Sequence, residues 1–494
     1  MLASSASKSR VEAVGSRSYT VPMRRAKIVC TIGPATEDPE RLRALVEAGM
    51  DVARINRSHG SVEDAERQLE GVRSAAREVG REVGILVDLQ GPKIRTGRFA
   101  TGPVLLNEGD TFTITTDDVD GDGDRVSTTF KGLPGDVSPG DRLLVDDGKI
   151  ALRAVSVTET DVVTEVIEGG TISNNKGINL PGVPVSVPAL SEKDEEDLAW
   201  ALKAGADWIA LSFVREPSDV IRVHEVMEDV GVRRPVLAKI EKPQAVANLP
   251  GILRAFDGIM VARGDLGVEM PLEEVPLVQK RAIEVARRMA KPVIVATQVL
   301  ESMMDNSRPT RAEASDCANA VLDGADALML SGETSVGAWP IQAVQTMARI
   351  IKNTEDHGLS RIAPLGSAPS TVSGAVTAAA ADIGSVLDAK YLVVFTASGD
   401  SARRVSRLRS PMPMIAFTSE ETTARKLTLT WGIRTFVTRP FQHMSTMVEA
   451  VDHALINAGL VEFKDVIVVV AGRPYGVSGT TNSLRVHVVG SSDT

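Results

Sequence analysis

VLAKIEKPQAVANLPGILRAFDGIMVARGDLG, residues 236–267, is the stretch whose reading decides the fold. A short apolar run, VLAKIE (236–241), gives way to a helical pattern and then to a second run, GIMVAR (258–263). That order describes two parallel strands joined by a crossover helix. Each run closes on charged residues: Lys239 and Glu241 in the first, Arg263 and then Asp265 at the second. Side chains two apart on a strand share a face, so Lys239 and Glu241 point the same way, and an ammonium and a carboxylate meet where the strand ends.

The same unit repeats on both sides. Upstream stand KIVCTIG (27–33), DVARIN (51–56), GILVDL (84–89) and WIALSF (208–213); downstream stand PVIVAT (292–297) and ALMLSG (327–332). Eight such strands predict a closed (β/α)8 TIM barrel over 24–92 and 188–357. Between the third and fourth strands, 93–187 lacks long helical periodicity. It carries β-rich pieces separated by turns such as LPGDVSPGD, which predicts an inserted β-domain. After a linker-like GLSRIAPLGSAPS, a second alternation (YLVVFTA, MIAFTS, IRTFVTR, DVIVVVAG, LRVHVVG) predicts a C-terminal open α/β domain over 358–494. The chain is thus expected to be α/β throughout, in three domains.

With 55 basic and 65 acidic residues the net charge is −10, so any phosphate site must be a local concentration of positive charge. Aromatics at 3% are too scarce for base-stacking surfaces, which disfavours nucleic acid as a partner. The two cysteines, Cys30 and Cys317, lack metal-type spacing and suit a reducing cytoplasm. No run is long enough to span a membrane. Residues 1–23 are Ser-rich and basic up to a second methionine, Met23. They read as a disordered extension or an upstream start, with a transit peptide as the competing reading.

Active sites of such barrels lie at the C-terminal strand ends, and polar groups collect there. Strand two offers Arg54 and Asn56 with Ser58 and His59 just after; strand three Asp88; strand five Lys239 and Glu241; strand six Arg263 and Asp265; strand seven Thr297 and Gln298; strand eight Ser331 and Glu333. Glu241 and Asp265 supply two hard oxygen ligands, a set that suits magnesium and, without clustered His or Cys, argues against zinc. ARGDLG (262–267) reads as a turn whose glycines let backbone N–H groups approach an anion. Arg54 and Lys239 bring positive charge to a phosphoryl group, which needs charge stabilisation more than covalent help. A lone strand-end charge is more often a salt bridge, and a lone His59 more often structural; the coincidence at consecutive strand ends is what favours chemistry.

At these strand ends the sequence resembles pyruvate kinases, in KIVCTIGPA, DVARINRSHG, DLQGPKIRTG, NNKGINLPG, AKIEKPQAV, ARGDLGVE, ATQVLESM and LSGETSVGAWP. The resemblance covers Arg24 onward. It implies magnesium- or manganese-dependent phosphoryl transfer from phosphoenolpyruvate to ADP, giving pyruvate and ATP, with the inserted domain as a β-barrel lid. It further implies that Arg54 contacts phosphate and that Lys239 stabilises the phosphoryl group and the enolate. Glu241 and Asp265 would hold the metal. Gly264, Asp265 and Thr297 would receive the substrate carboxylate, with Thr297 near the proton path. Asn56, His59, Arg95 and Lys176 match nucleotide-side positions, and a homotetramer is implied.

Potassium-dependent members commonly read DTKGPEIRTG at strand three and bind the ion at positions matching Asn56, Ser58, Asp88 and Leu89. This chain has Leu89, Gln90 and Lys93 there, so the Lys93 ammonium is expected to replace the ion and potassium not to be strictly required, although Thr96 resembles the dependent members. In the C-terminal domain Thr396, Ser398 and Ser401 form a candidate cradle for a phosphorylated effector, with GTTN (479–482) as a second wall and helix capping as the plainer reading. Asp400 stands where fructose-bisphosphate responders often carry a basic residue, which points instead to AMP or a sugar monophosphate. Two other readings stay open: a magnesium-dependent lyase or aldolase on the same barrel, and an inactive metabolite-binding regulator.

Overall fold

The computed structural model describes residues 24–441, 444–474 and 479–491; the N-terminal extension lies outside the described residues. Eight parallel strands close into a barrel: Lys27–Thr31, Val52–Asn56, Gly84–Asp88, Trp208–Leu211, Val236–Ile240, Gly258–Ala262, Val293–Ala296 and Ala327–Leu330. Each is shorter than its apolar run by one or two residues. The residues left over, Glu241, Arg263, Thr297 and Ser331 among them, begin the loops at the mouth.

Strand alternation sorts the barrel into two cores. Ile28, Ile85, Ala238 and Ile240 face outward against the helices. Val29, Val52, Leu86, Trp208, Leu237, Met260 and Ile294 fill the interior, where Leu429 from the C-terminal domain joins them. The helices that cover the outside carry clear signals: Ser61, Ser191 and Thr310 each open one with a reciprocal capping box, and Gly80, Gly205 and Gly324 end the same three in the left-handed conformation.

The insertion builds a six-stranded sheet with its own core around Phe112, Leu143, Leu152 and Val162. Isolated bridges, Arg95 to Gly177 and Thr96 to Thr128, link residues next to its two edge strands through one short segment. The C-terminal sheet has five strands, in the order Ile433–Val437, Met414–Thr418, Tyr391–Phe395, Val466–Gly472 and Thr481–Val488; the last runs antiparallel.

That domain docks on the barrel end remote from Lys239. Lys27 Nζ donates to Ile433 O (2.8 Å), Arg425 Nε to Asp207 Oδ1 (3.0 Å), Trp208 Nε1 to Lys426 O (3.2 Å) and Trp431 N to Asp326 Oδ1 (3.1 Å). The opposite end is left to the insertion and the mouth. No helix of the described residues is long and apolar enough to cross a membrane.

Candidate active site

On the first five barrel strands the inward residue one step above an interior apolar side chain is polar. Thr31 follows Val29, Arg54 follows Val52, Asp88 follows Leu86, Ser212 follows Ala210 and Lys239 follows Leu237, two positions on in every case. A polar layer therefore caps the apolar interior, and its members bond to one another. Arg54 Nε donates to Asp88 Oδ2 (2.7 Å) and Arg54 Nη1 to Thr31 Oγ1 (3.0 Å). Lys239 Nζ lies 2.7 Å from Glu241 Oε1 and donates to Ser212 Oγ at 2.8 Å. The other Glu241 oxygen accepts the Phe213 N–H at 2.8 Å.

Asp88 links the two cations. Its Oδ1 lies 3.5 Å from Lys239 Nζ, too far for a good hydrogen bond, and this buried oxygen has no hydrogen-bond partner. Burial alone would raise the Asp88 pKa, but Lys239 and Arg54 outweigh it and hold the carboxyl below its ordinary value. Burial likewise works against the Lys239 charge; Asp88, Glu241 and Asp265 overcome it and raise the pKa of the ammonium. For Glu241 the balance is reversed. Burial, assisted by repulsion from Asp265, lifts its pKa above the usual glutamate value despite Lys239.

Backbone strain collects at the same mouth. Phe213 (φ 55°), Thr297 (φ 65°) and Gln298 (φ 53°) all adopt left-handed conformations, which for the β-branched Thr297 is a genuine outlier. Thr297 Oγ1 is thereby turned toward strand six, where it accepts the Gly264 N–H at 2.8 Å. ARGDLG, expected to be a turn, is helical: Arg263–Glu269 forms two turns of helix directly after the strand. A Cβ on Gly264 would come within 3.3 Å of Thr297 Oγ1. The glycine thus serves close approach inside a helix and not a turn conformation.

Other sequence candidates go elsewhere. Arg263 turns out of the mouth to Asp316 (2.6 Å) and Thr297 O (2.7 Å). Glu333 is buried and ties two loops together through the N–H groups of Ser331 (2.7 Å) and Leu300 (3.1 Å). Asn56 Oδ1 accepts the Ser58 N–H at 3.1 Å, and His59 is exposed. Arg95 Nη1 donates to Asn175 O (3.1 Å) and Lys176 Nζ to Asp146 Oδ1 (2.9 Å), so both stay within the inserted domain. Leu89 is buried, and Lys93 stands where the insertion begins, with its side chain against Gly177. Thr396 Oγ1 accepts the Gly399 N–H (2.9 Å), and Ser401 Oγ lies 2.5 Å from Thr481 Oγ1, while Ser398 is exposed.

Sequence reasoning missed the partners: Thr31, the Phe213 N–H, and a buried Glu269 whose Oε1 accepts from Lys242 (2.6 Å) and Asn179 Nδ2 (2.8 Å). The even spacing Thr31–Val29 and the polar ends of strands one and four were the available signals. Glu269 connects the helix bearing Asp265 to the base of the insertion. Beside it, a cleft of about 630 Å³, open mouth included, runs between Ile178–Val187 on the inserted side and Phe213, Arg215, Lys242 and Asp265 on the barrel side.

Among the described residues no three His, Cys, Asp or Glu gather as a closed metal cage. Glu241 and Asp265 instead form a pair whose mutual repulsion a dication would relieve, and the adjoining cleft leaves room for water and substrate oxygens. That donor set fits magnesium or manganese.

Comparison with known proteins agrees with this geometry. Residues 23–344 match the family model for the pyruvate kinase barrel domain and 374–487 that for the pyruvate kinase alpha/beta domain. A pyruvate kinase of Mycobacterium intracellulare is 58% identical over 470 residues, covering 95% of this chain and 99% of the relative. One of Corynebacterium glutamicum is 57% identical over 467 residues, 94% and 98% of the two chains. The crystal structure of a pyruvate kinase from Cryptosporidium parvum superposes with a TM-score of 0.89 at 35% identity, covering 94% of this chain and 96% of that one. With both domain models matched in order around a barrel whose mouth gathers two cations and their counter-charges, the chain belongs to the pyruvate kinase family of phosphotransferases.

Proposed function

We propose that the protein catalyses magnesium-dependent transfer of the phosphoryl group of phosphoenolpyruvate to ADP, the last step of glycolysis, in the cytoplasm. The observation that carries this reading is the pairing of Arg54 and Lys239 around one buried carboxylate, Asp88. Two cations fixed at a barrel mouth are arranged before substrate arrives, which is the preorganisation that phosphoryl transfer needs. The P–O bond to the enolate oxygen breaks as a terminal ADP oxygen bonds to phosphorus. Arg54 and Lys239 stabilise charge on the phosphoryl oxygens, and Lys239 also that on the enolate oxygen.

Glu241 and Asp265 would hold the magnesium, which when bound supplies a Lewis acid for the phosphoryl and enolate oxygens. The substrate carboxylate takes over the Gly264 N–H now given to Thr297 and adds the Asp265 N–H and the Thr297 hydroxyl. Thr297 then lies near the path by which the enolate carbon gains its proton. Asn56, His59, Arg95 and Lys176 contact the nucleotide once the inserted domain closes as a lid.

Lys93 supplies the charge that a potassium ion at Asn56, Ser58, Asp88 and Leu89 would otherwise bring. A phosphorylated effector, AMP or a sugar monophosphate, binds near Thr396, Ser398 and Ser401 of a homotetramer. A coupled assay of pyruvate formation tests the central reading: rate should require phosphoenolpyruvate, ADP and a divalent cation together. Pyruvate release from phosphoenolpyruvate without ADP would mean that the phosphoryl group goes to water and would contradict the reading.

A further inference from the structure

Thr31 ends the first barrel strand, is 4% exposed and lies beside Arg54 in the strand register. Its hydroxyl stands between two groups of fixed polarity. A backbone carbonyl can only accept, so Thr31 Oγ1 donates its proton to Leu330 O at 3.0 Å. A guanidinium can only donate, so the same oxygen turns a lone pair to Arg54 Nη1, also at 3.0 Å. The methyl group of this β-branched side chain restricts rotation about χ1 and keeps the hydroxyl in place.

Arg54 needs such a contact because its carboxylate partner does not fix its plane. Arg54 Nε and Nη2 both lie 2.7 Å from the same Asp88 atom, Oδ2. A bidentate pair with two carboxylate oxygens would lock the guanidinium, whereas pairing with one leaves it able to swing about that atom. Thr31 stops the swing at the remaining nitrogen, Nη1. The guanidinium on strand two is thereby held from strand three on one side and strand one on the other. Because the hydroxyl is uncharged, it orients the cation without cancelling its charge, and the second Nη1 hydrogen is left for a phosphoryl oxygen. Ser212 repeats the arrangement at Lys239: its Oγ donates to Leu89 O (2.7 Å) and accepts from Lys239 Nζ (2.8 Å).

We propose that Thr31 is a positioning residue for phosphoryl transfer, which acts through Arg54 by fixing the plane of its guanidinium toward the transferring group. Preorganised charge stabilises a transition state only when it is aimed before the reaction begins, and Thr31 supplies the aim.

This rests on the phosphoenolpyruvate–ADP reading, and kinetics of the full-length enzyme separate the two. Thr31→Val keeps the shape and removes the acceptor. It should lower kcat/KM for phosphoenolpyruvate about tenfold or more, the worth of one hydrogen bond to a charged group, with the KM for ADP largely unchanged. Thr31→Ser retains the hydroxyl and should recover most of that loss. Thr31→Cys, a weak acceptor, should fall between them, and serves as the test variant should Thr31→Val fail to fold. A double-mutant cycle provides a readout that a merely structural threonine would not move. Arg54→Lys keeps a cation opposite Asp88 without the fork, so in that background Thr31→Val should cost less than about a further twofold. Equal fold-losses in the two backgrounds, or wild-type kinetics in the folded Val or Cys variant, would overturn this proposal and leave the catalytic reading standing. Absence of ADP-dependent pyruvate formation in the wild type would overturn both.

Discussion

Asp88 is the residue on which the mouth turns, because it is the carboxylate shared by Arg54 and Lys239. Removing one partner of a buried ion pair leaves the other charges uncompensated, so Asp88→Asn should destabilise the fold by about 3–5 kcal/mol. The pH dependence has a definite sign. The folded pKa of Asp88 lies below the ordinary 3.8, so its contribution is complete above that value and is lost as pH falls through the lower folded value. Denaturation midpoints followed from neutral to acid pH should show that loss in wild type and lack it in Asp88→Asn. Thr297 makes the converse case. Thr297→Gly relieves a left-handed conformation worth about 1–3 kcal/mol, so stability should hold or rise while turnover falls. A drop in both would mean that the hydroxyl is structural. Lys239 and Glu241 were legible from sequence because strand alternation fixes their common face. The left-handed Phe213 and Thr297 were not, since neither residue type announces a positive φ.

At the scale of elements, the helix Arg263–Glu269 joins two jobs. Its first turn carries Gly264 and Asp265 to the mouth, and its last residue, Glu269, anchors Lys242 and the Asn179 side chain at the base of the insertion. If the insertion closes over nucleotide, Glu269→Gln should raise the KM for ADP several-fold while leaving the KM for phosphoenolpyruvate much less affected; equal changes in both would remove the hinge role. The sequence read this segment as a turn because two glycines within four residues oppose helix. The hydrogen bond from the Gly264 N–H to Thr297 Oγ1 and the close approach of Thr297, which a Cβ at Gly264 would crowd, outweigh that propensity. The barrel strands, by contrast, were legible to within a residue or two, because β-branched runs bounded by charge mark both their existence and their ends.

For the whole molecule, Leu429 from the C-terminal domain completes the apolar interior of the barrel, so the two domains share a core and not merely a surface. Leu429→Ala should cost about 2–5 kcal/mol and lower the melting temperature of the barrel itself. Independent melting of an unaffected barrel would show that the domains are uncoupled. Sequence could count the strands of each domain, but which loop of one fills the interior of another depends on long-range docking that no local pattern encodes. Turnover in a tetramethylammonium buffer should persist without potassium, given Lys93; near-complete loss restored by potassium would contradict that assignment. The central claim is that cations fixed above the barrel interior stabilise a phosphoryl group in transfer, and Lys239→Met tests it most directly. With phosphoenolpyruvate, ADP and magnesium saturating, the variant should lose turnover by at least about a hundredfold, as removal of a preorganised electrostatic group does, while its circular dichroism spectrum stays that of wild type. Turnover within a few-fold of wild type in a folded Lys239→Met protein would contradict the account.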